Sequence, residues 1–113
     1  MIGHELKNLA DYSDNVVQIY KNNLKPGDII IIKTMNSTYS IRVAEDGSYF
    51  VSGGWFDKKN LSPSKIKING CTWGGSIIKQ DIIAACGLKM EFQNRVVTSS
   101  IKKIFYIPHC CEN

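Results

Sequence analysis

From Asp28 onward the apolar residues recur with a period of two, and this alternation limits the possible folds more than any other feature. "DIIIIKT" (28–34) is β-branched throughout its apolar run and suits a strand buried on both faces. "TYSIRVA" (38–44) sets Tyr39, Ile41 and Val43 against Ser40 and Arg42, so one side faces a core and the other faces water. "MNS" between them is a turn. "EDGS" (45–48) places Gly47 for left-handed backbone, and "YFVSG" then returns as a third antiparallel strand.

The pattern continues with interruptions. "WFDKKNLSPSK" is a longer connection, and "KIKINGCT" resumes the alternation with Ile66 and Ile68 inward. "IIKQDIIAACG" (77–87) fits a short helix or an irregular strand equally well, and is read as an irregular surface segment bounded by Gly87. "LKMEF" and "RVVTSS" flank Gln93 and Asn94 as a tight hairpin, and "IKKIFYI" is the last strand before Pro108. About seven short strands are expected, which predicts a mainly β protein built as a small antiparallel barrel or half-barrel. Upstream, Ile2, Leu6, Leu9, Val16, Tyr20 and Leu24 recur at three- or four-residue steps apart from one gap at Ser13 and Asp14. That spacing predicts an N-terminal helical element over 1–24, a β-barrel domain over 25–108 and a tail over 109–113.

At 113 residues the chain has room for one core. Fourteen Lys plus Arg against ten Asp plus Glu give a net charge of +4, and only Arg42 and Arg95 are arginines. This basicity is mild, with Lys58, Lys59, Lys65 and Lys67 as its densest cluster. The sequence shows neither a signal-peptide core nor an apolar run of membrane length, so a cytoplasmic protein is expected. Cys71, Cys86, Cys110 and Cys111 lack the paired spacing of a zinc site. No metal or cofactor is expected, and Cys71 and Cys86 read as small core residues.

Catalytic chemistry has little to work with. His4 and His109 lie near the chain ends, Cys86 sits among apolar neighbours, and Asp57, Asp81 and Glu91 are scattered. The expectation is a non-enzymatic protein. Two Gly-Gly pairs, in "VSGGWF" (51–56) and "CTWGGS" (71–76), are more informative. Glycines inside strands mark places where side chains had to be removed, either for a corner or for a ligand. The ligand reading joins Asn36, Ser37 and Tyr39 to Ser52, Gly53, Gly54 and Trp55 and to Thr72, Trp73, Gly74, Gly75 and Ser76. Arg42 is the cation chosen for a phosphate or carboxylate. Backbone N–H groups and hydroxyls would hold a small anionic or nucleotide-like ligand, with a tryptophan stacking on its base. A protein partner or self-association through the N-terminal stripe is the alternative. Single-stranded nucleic acid ranks third because arginines are few, and a membrane is not expected.

"PGDIIIIKTMNSTY", "VSGGWF", "INGCTWGGSIIK", "LKMEF" and "VVTSSIKKI", taken in order, resemble the pattern of a family of short bacterial proteins of unknown function. The resemblance spans 26 to about 107. It implies a recurrent β fold and no activity.

Overall fold

A computed structural model describes residues 16–74 and 77–109. Mainly antiparallel β structure fills them, with one short helix. In chain order the strands are β1 (Gln18–Tyr20), β2 (Ile29–Thr34), β3 (Thr38–Val43), β4 (Tyr49–Gly53), β5 (Ser64–Ile66), β6 (Ile68–Thr72), β7 (Ile82–Ala85), β8 (Lys89–Phe92) and β9 (Ile101–Ile107). Helix α1 (Gly54–Lys58) follows β4 directly. Hydrogen bonding groups the strands into a five-stranded sheet of order β5-β4-β3-β2-β9 and two pairs, β1 with β7 and β6 with β8.

All three sheets feed one core. Ile30, Ile32, Ile41, Val51 and Ile104 come from the large sheet, Ile19, Ile83 and Ala84 from the β1–β7 pair, and Cys71, Met90 and Phe92 from the β6–β8 pair. Phe56 of α1 joins them, edge-on to Phe92 with ring centroids 5.0 Å apart. The β2–β3 turn closes through the Thr34 N–H to the Ser37 carbonyl (2.8 Å). Gly47 has φ +84°, as the turn after β3 requires.

Asp28 fastens the start of the large sheet to its end. Its buried carboxylate accepts hydrogen bonds from the Lys25 N–H (2.9 Å), the Tyr106 hydroxyl (2.8 Å) and the His109 N–H (2.8 Å). Burial disfavours its charge. The His109 and Lys25 amides, the Tyr106 hydroxyl and the Lys25 cation outweigh that and hold the carboxyl below its ordinary value.

Four expectations need correction. Within the helical element expected over 1–24, residues 18–20 form strand β1 and 21–23 a single 3-10 turn, while residues 1–15 lie outside the described residues. Val16, Tyr20 and Leu24 are four apart, which fits an even period as well as a helical one. The inward residue is Ile19, which that stripe omits, and β1 finds its partner in β7.

The segment 77–87 is a surface stretch only at 77–81, 86 and 87, which are exposed or half-exposed; the rest of it is β7, buried at all four positions. It lacks alternation because β7 packs on β6, β8 and β9 besides pairing with β1. Cys86 is exposed in the turn that follows, whereas Cys71 is buried as expected. Desolvation pushes the Cys71 thiol up to about 11, against the opposing effects of a backbone hydrogen bond and the Lys21 charge. Finally, β2 is buried on one face only: Ile30 and Ile32 are fully covered, Ile29 and Ile31 half-covered.

Candidate functional site

The half-covered side of β2 belongs to the outer face of the five-stranded sheet, and register fixes its composition. Residues directly opposite one another on neighbouring strands share a face. One row runs Ile107, Ile29, Arg42, Phe50, Lys65 from β9 to β5. The next runs Phe105, Ile31, Ser40, Ser52, and a third runs Lys103, Lys33, Thr38. Four cations, two phenylalanines, three isoleucines and three hydroxyls therefore occupy one surface.

No Asp or Glu occurs on any of these five strands, although they carry five cations. Each phenylalanine has a cation beside its ring. The Arg42 guanidinium stands 4.8 Å from the Phe50 centroid, with Lys65 Nζ at 5.8 Å, and Lys33 Nζ stands 5.9 Å from that of Phe105. Lys65 also pairs with Asp46 at 3.0 Å, the one ion pair found among the described residues. Arg42 has no ion-pair partner among the described residues. Phe50 and Phe105 lie three strands apart, roughly 14 Å at ordinary strand spacing. A surface of this kind can stack planar groups and neutralise the phosphates between them.

The residues chosen from sequence fall into three places. Arg42 and Ser52 lie on the open face just described. Asn36, Ser37, Tyr39 and Trp55 do meet, lining with Lys58, Ser99 and neighbours a hollow of about 200 Å³ at the β2–β3 turn end of the sheet. Thr72, Trp73 and Gly74 belong to the end of β6, where Trp73 is 70% exposed with Lys79 Nζ 5.1 Å from its ring. Gly75 and Ser76 lie outside the described residues.

Gly53 and Gly54 form a corner. They have φ +101° and +46°, and a Cβ on either would collide, with the Thr38 carbonyl oxygen or with the Tyr39 ring. They let β4 turn sharply into α1 against β3. Three of the N–H groups expected to cradle an anion already have protein acceptors. Gly53 donates to Asp57 Oδ1 and Ser62 Oγ (both 3.2 Å), Trp55 to the Tyr39 hydroxyl (3.3 Å) and Gly74 to Thr72 Oγ1 (3.1 Å).

Sequence reasoning missed Lys33, Phe50, Phe105 and Lys103 as a group. The signal that could have found them is the absence of any carboxylate from the five stretches 29–34, 38–43, 49–53, 64–66 and 101–107, combined with cations and aromatics at their outward positions. Among the described residues, no group of three His, Cys, Asp or Glu could hold a metal ion, and no helix is long and apolar enough to cross a membrane. Comparison with known protein families, with characterised proteins and with solved structures finds no match.

Proposed function

We propose that this protein is a non-enzymatic binding module for nucleotide-like anions and that its open sheet face takes single-stranded nucleic acid. One observation carries this reading: five adjacent strands bear five cations and no carboxylate, and their outer face holds two half-buried phenylalanines flanked by cations. Bases stack on Phe50 and Phe105, while Lys33, Arg42, Lys65 and Lys103 neutralise phosphates. Half-covered rings suit this role, since they are held rigidly from below and still present one surface. The half-barrel description belongs to the same proposal, with the three sheets wrapping one core and leaving this side open. A low arginine count, taken along the sequence alone, argues against nucleic acid. It loses force once four cations share a face.

The test is fluorescence anisotropy of labelled single-stranded and duplex oligonucleotides. Single strands should bind more tightly than duplex, with affinity falling as salt rises, and Phe50→Ala with Phe105→Ala together should weaken binding by about tenfold or more. Binding indifferent to salt and to both rings would overturn the proposal. A small nucleotide is a second reading, supported by the convergence of Asn36, Ser37, Tyr39 and Trp55 on one hollow. Mononucleotides should then change the fluorescence of Trp55 in a Trp73→Phe background.

A further inference from the structure

The β6–β8 pair departs from regular geometry at several points that meet in one cleft. Ile68 pairs with Phe92 and Gly70 with Glu91, so Asn69 is the extra residue of a bulge. Around this bulge the Ile68 and Asn69 carbonyls accept hydrogen bonds from Lys21 Nζ, at 2.7 and 3.2 Å. The Asn69 amide donates to Glu91 Oε2 (2.9 Å) and to the Phe92 carbonyl (3.2 Å). Across the turn, Arg95 has φ +71°, the left-handed third position of a three-residue hairpin loop closed by the Arg95 N–H to the Phe92 carbonyl and the Phe92 N–H to the Val96 carbonyl (both 2.9 Å). Bulges are over-represented next to functional sites, and a hairpin loop fixes the direction of the side chain at its left-handed position. Here they bring Lys21, Lys67, Asn69, Gln80, Glu91 and Arg95 around an open cleft of about 650 Å³.

The charges in the cleft are selective. Lys21 is half-buried, and desolvation lowers its pKa against the opposing pull of Cys71 and Asp81. Two of its three protons go to carbonyls, leaving one. Neither Lys67 nor Arg95 has an ion-pair partner among the described residues. Glu91 is the single carboxylate of the lining, and no aromatic ring lines the cleft, so a nucleobase would find nothing to stack on. A bare anion would gain from the three cations and be opposed by Glu91. A phosphate attached to a hydroxylated body uses both, because hydroxyls donate to a carboxylate while the phosphate accepts from the cations.

We propose that this cleft binds a small phosphorylated sugar, with Arg95, Lys67 and Lys21 on its phosphate and Glu91 and Gln80 on its hydroxyls. The site is separate from the open sheet face and stands whether or not that face binds nucleic acid.

Isothermal titration calorimetry with ribose 5-phosphate, ribose and inorganic phosphate tests it. Ribose 5-phosphate should bind more tightly than either fragment. Arg95→Asn, which suits the left-handed backbone, and Lys67→Gln should each weaken it by about tenfold to a hundredfold, the range for losing a charged hydrogen bond. Glu91→Gln should weaken ribose 5-phosphate while tightening inorganic phosphate, a reversal that a general loss of folding could not produce. The Phe50→Ala and Phe105→Ala double variant should leave all three affinities unchanged, which separates this site from the sheet face. Equal binding of ribose 5-phosphate to wild type and Arg95→Asn would overturn the proposal. So would ribose 5-phosphate binding no better than ribose, or a Glu91→Gln change of the same sign for both phosphates.

Discussion

The five-stranded sheet and the β6–β8 pair contribute to the same core but present their polar groups in opposite ways. In the large sheet, register is unbroken across β5, β4 and β3 and slips only near Lys33 and Thr34, where β2 meets β9. Outward residues therefore line up in rows, and the surface is an extended one made by repetition. In the pair, one bulge disrupts the alternation and gathers unlike groups, an ammonium, an amide and a carboxylate, at a single point. Regular pairing makes a platform, and a fault in pairing makes a cleft. The two arginines divide accordingly, Arg42 over a phenyl ring on the platform and Arg95 in a left-handed turn beside the cleft.

The sharpest way to break this comparison is through the shared core. Ile32→Ala in the sheet and Met90→Ala in the pair should each lower stability by about 2–5 kcal/mol, since both side chains are fully buried. Ile31→Ala on the half-covered face should be much milder. Urea unfolding would measure all three. If Met90→Ala were as mild as Ile31→Ala, the pair would be an appendage and no part of the core.

A smaller effect concerns the Asp28 clasp, which belongs to the sheet alone. Its carboxyl is held below the ordinary value of 3.8, so the folded state favours the charged form. The stabilisation is fully present above that value and is lost as pH falls through it toward the folded pKa. Urea midpoints between about pH 5 and about pH 2 should fall steeply for wild type. Asp28→Asn should be less stable at neutral pH by about 1–3 kcal/mol and show a flatter acid limb. An unchanged acid limb in that variant would place the acid sensitivity elsewhere.

The smallest effect on folding should come from Arg42→Gln. Its stability change should stay within about 1 kcal/mol, because the side chain is exposed, has no ion-pair partner among the described residues and gives up only its contact with the Phe50 ring. Oligonucleotide affinity should nevertheless fall. The slope of log affinity against log salt should flatten by about 0.7, the value of one phosphate contact on a single strand. An unaltered slope would remove Arg42 from the platform.

Local chemistry was readable in the sequence wherever a neighbour along the chain decided it. The alternation in "TYSIRVA", the Gly47 turn and the burial of Cys71 all follow from short windows. So does the meeting of Asn36, Ser37 and Tyr39, which one hairpin end holds together, although Trp55 reaches them only through the corner at Gly53 and Gly54. What the sequence hid depended on partners remote in the chain. β1 and β7 are short and become strands by pairing with each other. Lys33 reaches the Phe105 ring because β9 lies beside β2, and the Asn69 bulge exists only relative to the spacing of β8. The Gly-Gly pairs were legible as places without side chains. Whether ligand or backbone filled the space was not, because the filler at Gly53 and Gly54 is strand β3.

The placement of β2 between β3 and β9 has a consequence for how the chain is made. β3 follows β2 almost at once, but the other neighbour is not synthesised until residues 101–107. Until then the most apolar strand of the large sheet has one edge unpaired, with Ile30 and Ile32 lacking the cover that Ile104 and its strand supply. On the ribosome this is a waiting state, and an isoleucine-rich open edge is the kind that pairs with other chains. A chain terminated before β9 should therefore be recovered as aggregate, and a peptide of residues 101–107 supplied in trans should compete for that edge.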